Sequence, residues 1–248
     1  MCYPTIDHRG PEFSELALKC LRGIKTIFKT KNPVIIFPAS GTGAWEAALV
    51  NTLNDGDNVL MVETGHFASL WNNIAQKLGL KVELLKTDWR QGLDPNEIEK
   101  RLRLDADKKI KAVCIVHNET STGCTSDVKA VREILDNLNH DALLMVDTIS
   151  GLASMNYEHD EWGVDITISG SQKGLMLPPG LSFNAISEKA INVSNKSTLK
   201  KSYWDWNEHL EFNKTGFFPY TPATNLLFGL KEAIDMPVSY THLRAHET

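Results

Sequence analysis

Short runs of β-branched and aliphatic residues alternate with helix-like patterns from Pro33 to about Asp147. This alternation is typical of repeated βα units, in which a helix crosses over between two parallel strands. It predicts an α/β domain with a mostly parallel sheet. The predicted strands are Val34–Phe37, Asn58–Val62, Val82–Lys86, Ala112–His117, Leu143–Asp147, Asp165–Ser169 and Leu181–Ser187. The predicted helices lie near Ala44–Leu53, Phe67–Leu78, Asn96–Leu104 and Val128–Leu138, the last two with start signals at Asp94-Pro95 and Ser126.

The composition is that of an ordinary globular chain. A length of 248 residues, with 42% hydrophobic and 23% charged residues, is sufficient for one large domain with a sizeable core. The formal net charge is -5, and Lys and Arg are interspersed among Asp and Glu, so no basic stripe could follow a phosphate backbone. We therefore expect no nucleic-acid partner.

The cysteines and the hydropathy pattern predict a compartment. Cys2, Cys20, Cys114 and Cys124 have neither the close spacing of a metal site nor the density of a secreted disulfide scaffold, which predicts reduced thiols and no bound metal. The chain does not begin with a charged segment leading into an apolar run, and no later stretch is continuously apolar over a membrane-spanning length. We expect a cytoplasmic protein with no membrane partner.

The C-terminal residues depart from the pattern of the rest. Residues 225–234 begin an amphipathic helix, which Met236-Pro237 is predicted to end. The following residues have neither the helical nor the strand period and resemble the translation of a sequencing adaptor, so we interpret 236–248 as a non-native tail. The remainder divides into an incomplete N-terminal segment, 1–32, and a large domain, 33–235. We expect the native protein to continue beyond Asp235 into a C-terminal domain that this chain lacks.

A turn rich in small and hydroxyl residues connects the first predicted strand to the first predicted helix. Ser40-Gly41-Thr42 lets backbone N–H groups approach an anion at the positive end of the helix, and its hydroxyls add donors. The turn is therefore suited to anchoring a phosphate. The same three residues also make an ordinary helix N-cap with a tight turn, and the sequence leaves both interpretations open.

Two chemically active residues follow later strands, at the sheet edge where open α/β folds bind ligands. Asp147 ends a predicted strand, where its carboxylate can keep a pyridine nitrogen protonated or can simply cap the next turn. Lys173 lies between Gly170 and Gly174 after another strand, where it can form a Schiff base or be a solvated surface lysine. The ordered set of hydroxyl-rich turn, strand-end Asp and strand-end Lys on one sheet favours the chemical interpretation.

Several segments together carry a resemblance to a known family. They are Pro38–Glu46, His117–Gly123, Val146-Asp147, Asp160–Asp165 and Gly170–Lys173, extended by Asp205–Asn207 and Pro219–Pro222. In this order they resemble the class V aminotransferases of pyridoxal-phosphate fold type I, over about residues 7–235. The resemblance implies a three-layer sandwich, pyridoxal 5′-phosphate as cofactor, small amino acid and 2-oxo acid substrates, and a homodimer. Within the family the chain is most similar to members that transfer an amino group from L-serine to glyoxylate, and its C-terminal small domain is expected to be missing.

The resemblance also implies roles for individual residues. Lys173 is the implied catalytic residue, which holds the cofactor as a Schiff base. The implied cofactor contacts are Ser40, Gly41, Thr42 and Gln172 to the phosphate, Thr120 by a hydrogen bond, Asp147 to the ring nitrogen, Phe67 and Ile149 to the two ring faces, and Tyr220 and Thr221 to the neighbouring subunit's phosphate. His8 and Arg9 match a segment near the substrate. Phe67 is as well explained as a core aromatic, and His8-Arg9 as a solvated turn.

Departures from the family pattern leave other functions open. Cys124 stands where relatives commonly carry valine, and we interpret it as a buried packing residue rather than the reactive thiol that a cysteine desulfurase-like lyase would require. Alanine or a ureido-amino acid could replace serine as donor, because the family's carboxylate-binding arginine belongs to the domain that this chain lacks. The non-enzymatic alternative is a truncated fragment that binds the cofactor without turnover or misfolds.

Overall fold

A computed structural model describes residues 4–244 of the chain, with side chains described as far as residue 236. Its helices are α1 (Pro11–Phe28), α2 (Gly41–Thr52), α3 (His66–Lys77), α4 (Pro95–Leu104), α5 (Val128–Asn137), α6 (Glu188–Ser194), α7 (Trp206–Asn213) and α8 (Thr224–Arg244). Its strands are β1 (Val34–Phe37), β2 (Asn58–Glu63), β3 (Lys81–Lys86), β4 (Ile110–Val116), β5 (Leu143–Asp147), β6 (Ile166–Gly170) and β7 (Ser182–Ile186).

The strands form one seven-stranded sheet in the order β1-β7-β6-β5-β4-β2-β3. β7 runs antiparallel to both of its neighbours, β1 and β6, and the other pairs are parallel. All strands except β7 therefore run in the same direction, so their carboxyl ends meet at one edge of the sheet. The predicted α/β class and mostly parallel sheet are confirmed, and this edge is where ligands bind in such sheets.

Both faces of the sheet are covered by helices. Along β1, Val34 and Ile36 belong to the core beneath α1, α4, α5 and α8, whereas Ile35 and Phe37 belong to the core beneath α2, α3, α6 and α7. The alternation follows from the two-residue period of a strand. Because helices cover both faces, the sheet forms the middle of a three-layer sandwich, as predicted. Burial of each such side chain stabilises the fold by roughly 1.5–3 kcal/mol.

The helix start signals were only partly correct. At α4, Asp94 accepts a hydrogen bond from the backbone N–H of Asn96 at 2.9 Å, and Pro95 occupies the first helical position, as predicted. At α5, the prediction was wrong by one residue, because the cap is Asp127, whose side chain accepts from the Ala130 N–H at 3.0 Å. Ser126 is buried and donates its backbone N–H to the backbone carbonyl of His117 at 2.8 Å, which places it in the loop after β4.

The two ends of the described chain pack against each other. α1 begins with Pro11, and its buried face, which includes Phe13 and Ile24, contacts α8. The predicted stop of α8 at Met236-Pro237 is wrong, because the backbone remains helical to Arg244. A proline inside a helix removes one backbone hydrogen bond without obliging the chain to leave the helix. Residues 245–248 of the tail lie outside the described residues, and the non-native origin of residues 236–248 stays a prediction.

The described cysteines are free thiols. Cys20 and Cys114 are buried and Cys124 is partly buried, whereas Cys2 lies outside the described residues. Burial raises the pKa of Cys20 to about 12, which makes its thiol unreactive at neutral pH. Within residues 4–244, no helix combines the length and the apolar character that crossing a bilayer requires.

Candidate active site

A cavity of about 340 Å³ lies at the carboxyl edge of the sheet. Its walls come from residues at or just after the ends of β1, β2, β4, β5 and β6. The lining consists of Ser40, Gly41, Thr42, Phe67, Val116, Asn118, Thr120, Asp147, Ile149, Ser150, Gln172 and Lys173. The fold thus collects residues from five loops in one concave site, whose volume is within the range of small-molecule pockets.

The turn after β1 forms one end of this cavity. Ser40 is the N-cap residue of α2, with an extended backbone, but its side chain makes no capping hydrogen bond. Ser40 and Thr42 are exposed, so their hydroxyls are accessible to a ligand. The first N–H groups of a helix lack intrahelical partners and lie at its positive end, which favours an anion. The start of α2 is therefore not capped by its own side chain, and its role as a phosphate anchor stays a prediction.

Asp147 lies at the centre of the site as a buried carboxyl group, 3% exposed. Its Oδ1 accepts the backbone N–H of Ile149 at 2.7 Å, and its Oδ2 accepts the indole Nε1–H of Trp45 at 2.8 Å. Burial raises the pKa of Asp147 to about 7, the two hydrogen bonds oppose that rise, and the negative charge of Glu119 adds to it. Among the described residues no Lys, Arg or His forms an ion pair with this carboxylate. Asp147 thus caps the turn and, within the part of the chain that the structure describes, has no cationic partner.

Lys173 lies in the loop after β6 and lines the same cavity. It is exposed, and across residues 4–236 its ammonium group makes neither a hydrogen bond nor an ion pair. Gly174 is required next to it, because a Cβ there would lie 2.2 Å from the backbone oxygen of Leu152. The side chain of Gln172 also points inward, since its Oε1 is buried with no partner within the described part of the chain. The loop thus presents an amine and an amide with unused hydrogen-bonding capacity.

Glu119 organises the wall that carries Thr120 and was missed from the sequence. Its fully buried carboxylate accepts the backbone N–H groups of Ala68 at 3.1 Å and Ser121 at 3.0 Å, and the Ser121 hydroxyl at 2.7 Å. Glu119 therefore accepts a backbone N–H group at the start of α3, although it lies in a distant loop. A negative charge is favoured at this end of a helix. Thr120 is held exposed at the cavity wall beside this carboxylate. No sequence pattern links residue 119 to residue 68.

Phe67 and Ile149 are both partly buried and line the cavity. Each also packs against the core beneath α2 and α3. Phe67 therefore lies both at the cavity and against the core, and the contacts of Phe67 and Ile149 with a cofactor ring stay predictions. A Cβ on Gly41 would lie 2.3 Å from Ile149 Cδ1, so the glycine lets the first turn of α2 approach this side chain.

Val116, Asn118 and Ser150 also line the cavity and were not predicted. The Ser150 hydroxyl donates to the Asn118 backbone oxygen at 2.5 Å, which ties the loops after β4 and β5 together. The sequence could have indicated all three residues, because they lie at or just after the ends of β4 and β5, at the sheet edge that was predicted to bind a ligand. Trp45 was also missed, and its signal was weak, since an indole on a buried helix face is usually part of the core.

Other predicted residues lie outside this cavity. Tyr220 donates its hydroxyl to Glu208 at 3.0 Å and stacks on Tyr203, and Thr221 is exposed. His8 and Arg9 lie in the turn before α1, where the backbone N–H of Arg9 donates to Asp7 Oδ1 at 2.9 Å. Their predicted contacts with a neighbouring subunit's phosphate and with the substrate stay predictions.

Cys124 is also not part of the cavity lining. It is partly buried, not fully buried as predicted, because it lies in the exposed loop after β4. Its thiol donates to the backbone oxygen of Trp89 at 3.2 Å.

Comparisons with known proteins show which family the chain is similar to. The family model of class-V aminotransferases matches residues 5–247. The chain is 46% identical over 240 residues to a serine–glyoxylate aminotransferase of Methylorubrum extorquens, covering 94% of this chain and 60% of that protein. It is 43% identical to a serine–glyoxylate aminotransferase of Arabidopsis thaliana, covering 93% and 58%, and 41% identical to an L-aspartate–glyoxylate aminotransferase of Paracoccus denitrificans, covering 94% and 59%.

A solved structure extends the similarity to three dimensions. The aspartate aminotransferase of subgroup IV from Thermus thermophilus superposes with a TM-score of 0.88 at 32% identity, covering 98% of this chain and 67% of that one. The chain spans about 60% of the length of these curated relatives.

Proposed function

The chain belongs to the class V aminotransferases, and from that premise we propose that it transfers the amino group of L-serine to glyoxylate, giving hydroxypyruvate and glycine. Three relatives that are 43–46% identical are named serine–glyoxylate aminotransferases. The names of two other relatives pair glyoxylate with L-aspartate or with (S)-ureidoglycine. Glyoxylate is thus the acceptor in all these names, and the donor is the part of the proposal that most needs a test.

The cofactor of this family is pyridoxal 5′-phosphate, and the residues of the cavity fit it. The observation that carries the proposal is the buried Asp147 carboxylate, which has no cationic partner among the described residues yet shares its cavity with the amine of Lys173. A protonated pyridine nitrogen would supply the charge that this carboxylate lacks. The uncapped start of α2 matches the phosphate of the same molecule, and the side-chain NH2 of Gln172, another residue of the cavity lining, would donate to that phosphate.

When bound, pyridoxal phosphate supplies an aldehyde that condenses with amines and a ring that accepts electrons. Lys173 would bind this aldehyde through its Nζ. When not bonded to the cofactor, the Lys173 amine would take a proton from the substrate Cα as general base and then release that proton as general acid. Asp147 would hold a proton on the ring nitrogen throughout.

The remaining residues would bind and orient the cofactor. Ser40, Gly41, Thr42 and Gln172 would hold the phosphate, Thr120 would donate a hydrogen bond, and Phe67 and Ile149 would pack on the two ring faces. We also propose a homodimer in which Tyr220 and Thr221 of one protomer reach the phosphate site of its partner. His8 and Arg9 are proposed to lie near the substrate.

The donor is tested with the purified chain loaded with pyridoxal phosphate. Hydroxypyruvate, pyruvate and oxaloacetate formation are compared for L-serine, L-alanine and L-aspartate, each with glyoxylate. The proposal predicts the highest kcat/KM for L-serine. A higher value for another donor would reassign the substrate, and no turnover with any donor in a chain that binds the cofactor would favour the non-catalytic alternative.

The lyase alternative finds no support at the site, because Cys124 lies outside the cavity lining and its thiol is engaged by Trp89. Sulfide release from L-cysteine that is lost in Cys124→Ser would nevertheless revive it.

A further inference from the structure

The carboxylate of Asp147 is held by one donor on each oxygen. The backbone N–H of Ile149 follows from the local turn, and any residue except proline at position 149 could supply it. The second donor, the Trp45 Nε1–H at 2.8 Å, comes from a side chain on α2, the helix that also starts at the cavity. Few side chains other than tryptophan could make this contact from within a hydrophobic core, because the indole is apolar apart from its single N–H.

The core fixes the position of the Trp45 indole. Trp45 is 2% exposed and stacks on Trp71, with ring centroids 6.0 Å apart and planes inclined by 13°. Trp71 is equally buried, yet its Nε1–H has no partner among the described residues. Two adjacent indoles therefore differ in one respect: Trp45 donates to the carboxylate, and Trp71 contributes packing without that hydrogen bond.

The protonation of Asp147 depends on the groups that surround it. Burial raises its pKa to about 7, the Ile149 and Trp45 hydrogen bonds oppose the rise, and the charge of Glu119 reinforces it. Tyr157 also interacts electrostatically with Asp147, His117 donates its backbone N–H to the Asp147 carbonyl, and Lys173 lines the same cavity. Loss of the indole donor would leave more of the carboxyl protonated at neutral pH, and a protonated carboxyl cannot pair with a ring cation.

We propose that Trp45 is a positioning residue of this site, whose indole N–H orients the Asp147 carboxylate and keeps it ionised towards a cationic ring nitrogen. The inference rests on the proposed cofactor site, but it does not depend on which amino acid is the donor. It distinguishes Trp45 from Trp71, although both are buried tryptophans of the same stack.

The direct test is the titration of Asp147 in the cofactor-free protein, followed by the 13C resonance of its carboxyl group and assigned with Asp147→Asn. Trp45→Phe removes the donor and keeps an aromatic ring, and Trp71→Phe is the matched control. We expect a midpoint near 7 for the wild-type chain. The midpoint should rise by about one pH unit in Trp45→Phe and remain within about 0.3 units in Trp71→Phe. Equal midpoints in all three proteins would overturn the proposal.

Binding of pyridoxine 5′-phosphate separates this inference from the proposed function. This probe has the ring nitrogen and the phosphate but no aldehyde, so its affinity does not depend on a bond to Lys173. At pH 7 we expect about tenfold weaker binding to Trp45→Phe and a change below about twofold for Trp71→Phe. Failure of the wild-type chain to bind the probe would contradict the cofactor site itself. Equal binding by the wild-type chain and both variants would overturn only the role of Trp45.

A measurement on the wild-type chain covers the case in which Trp45→Phe does not fold. The chain has six tryptophans, whose indole N–H groups give separate NMR resonances after 15N labelling. One of them should shift with pH at the same midpoint as the Asp147 carboxyl, and that shift should vanish in Asp147→Asn. If no indole resonance follows the carboxyl titration, the hydrogen bond has no role in solution and the proposal is wrong.

Discussion

Gly41 and Ile149 contact each other so closely that a Cβ on residue 41 would lie 2.3 Å from Ile149 Cδ1. This contact brings the start of α2 against the loop that follows Asp147. It therefore sets the distance between the proposed phosphate anchor and the proposed partner of the ring nitrogen. Gly41, in the turn after β1, must therefore be a glycine because the side chain of Ile149, in the loop after β5, occupies the space of a Cβ.

We predict that Gly41→Ala weakens binding of pyridoxal phosphate at least about tenfold and lowers the free energy of unfolding by about 1–3 kcal/mol, because the added methyl group must displace Ile149. Absorbance titration and urea denaturation measure the two effects. Ile149→Ala in the same chain should restore part of the stability. Unchanged affinity in the single variant would show that this contact does not shape the site.

We predict that Glu119→Gln lowers the free energy of unfolding by about 1–2 kcal/mol, since it removes the charge that accepts the first N–H groups of α3. The matched control is Glu133→Gln on the exposed surface of α5. The same change should lower the pKa of Asp147, because the charge of Glu119 is one of the causes that raise it. A carboxyl titration that does not move would contradict this electrostatic coupling.

The pH dependence of stability provides a prediction for the cofactor-free chain. The folded-state pKa of Asp147 is raised to about 7, so between about pH 4 and pH 7 the folded state keeps a proton that the unfolded state has released. The stability of the wild-type chain relative to Asp147→Asn should therefore fall by about 1.4 kcal/mol per pH unit in that window and stay constant above it. Denaturation of both proteins across the pH range measures this difference. A constant difference would show that the carboxyl is ionised throughout.

The proposed dimer makes cofactor binding depend on protein concentration. Because Tyr220 and Thr221 do not line the cavity of their own chain, dilution to monomer should remove their contribution and weaken the affinity for pyridoxal phosphate by about tenfold. Sedimentation velocity combined with absorbance titration tests this expectation. Monomers and dimers that bind equally well would assign both residues to other roles.

The sequence predicted the sheet and much of the site because both follow local rules. The strands β1 and β5 have the predicted bounds, since a short aliphatic run between two turns is typical of a buried strand. Ser40, Asp147 and Lys173 were found because they follow strands at one edge of the sheet.

The parts that the sequence did not predict depend on tertiary contacts. Trp45 and Glu119 act on residues far away in the chain, so no local pattern reveals them. α1 was missed although its buried face is regular, and α8 passes the Met236-Pro237 signal that was expected to end it. Proline indicates a local cost, and only the whole structure decides whether that cost ends a helix.

The most direct test of the central claim is the visible absorption band that pyridoxal phosphate acquires when its aldehyde reacts with a lysine amine. The wild-type chain and Lys129→Ala, which changes an exposed lysine on α5, should both show the band, and Lys173→Ala should lack it while still binding pyridoxine 5′-phosphate. Borohydride reduction followed by peptide mass analysis should then place the cofactor on residue 173. A band retained in Lys173→Ala, or a cofactor attached to another lysine, would contradict the account.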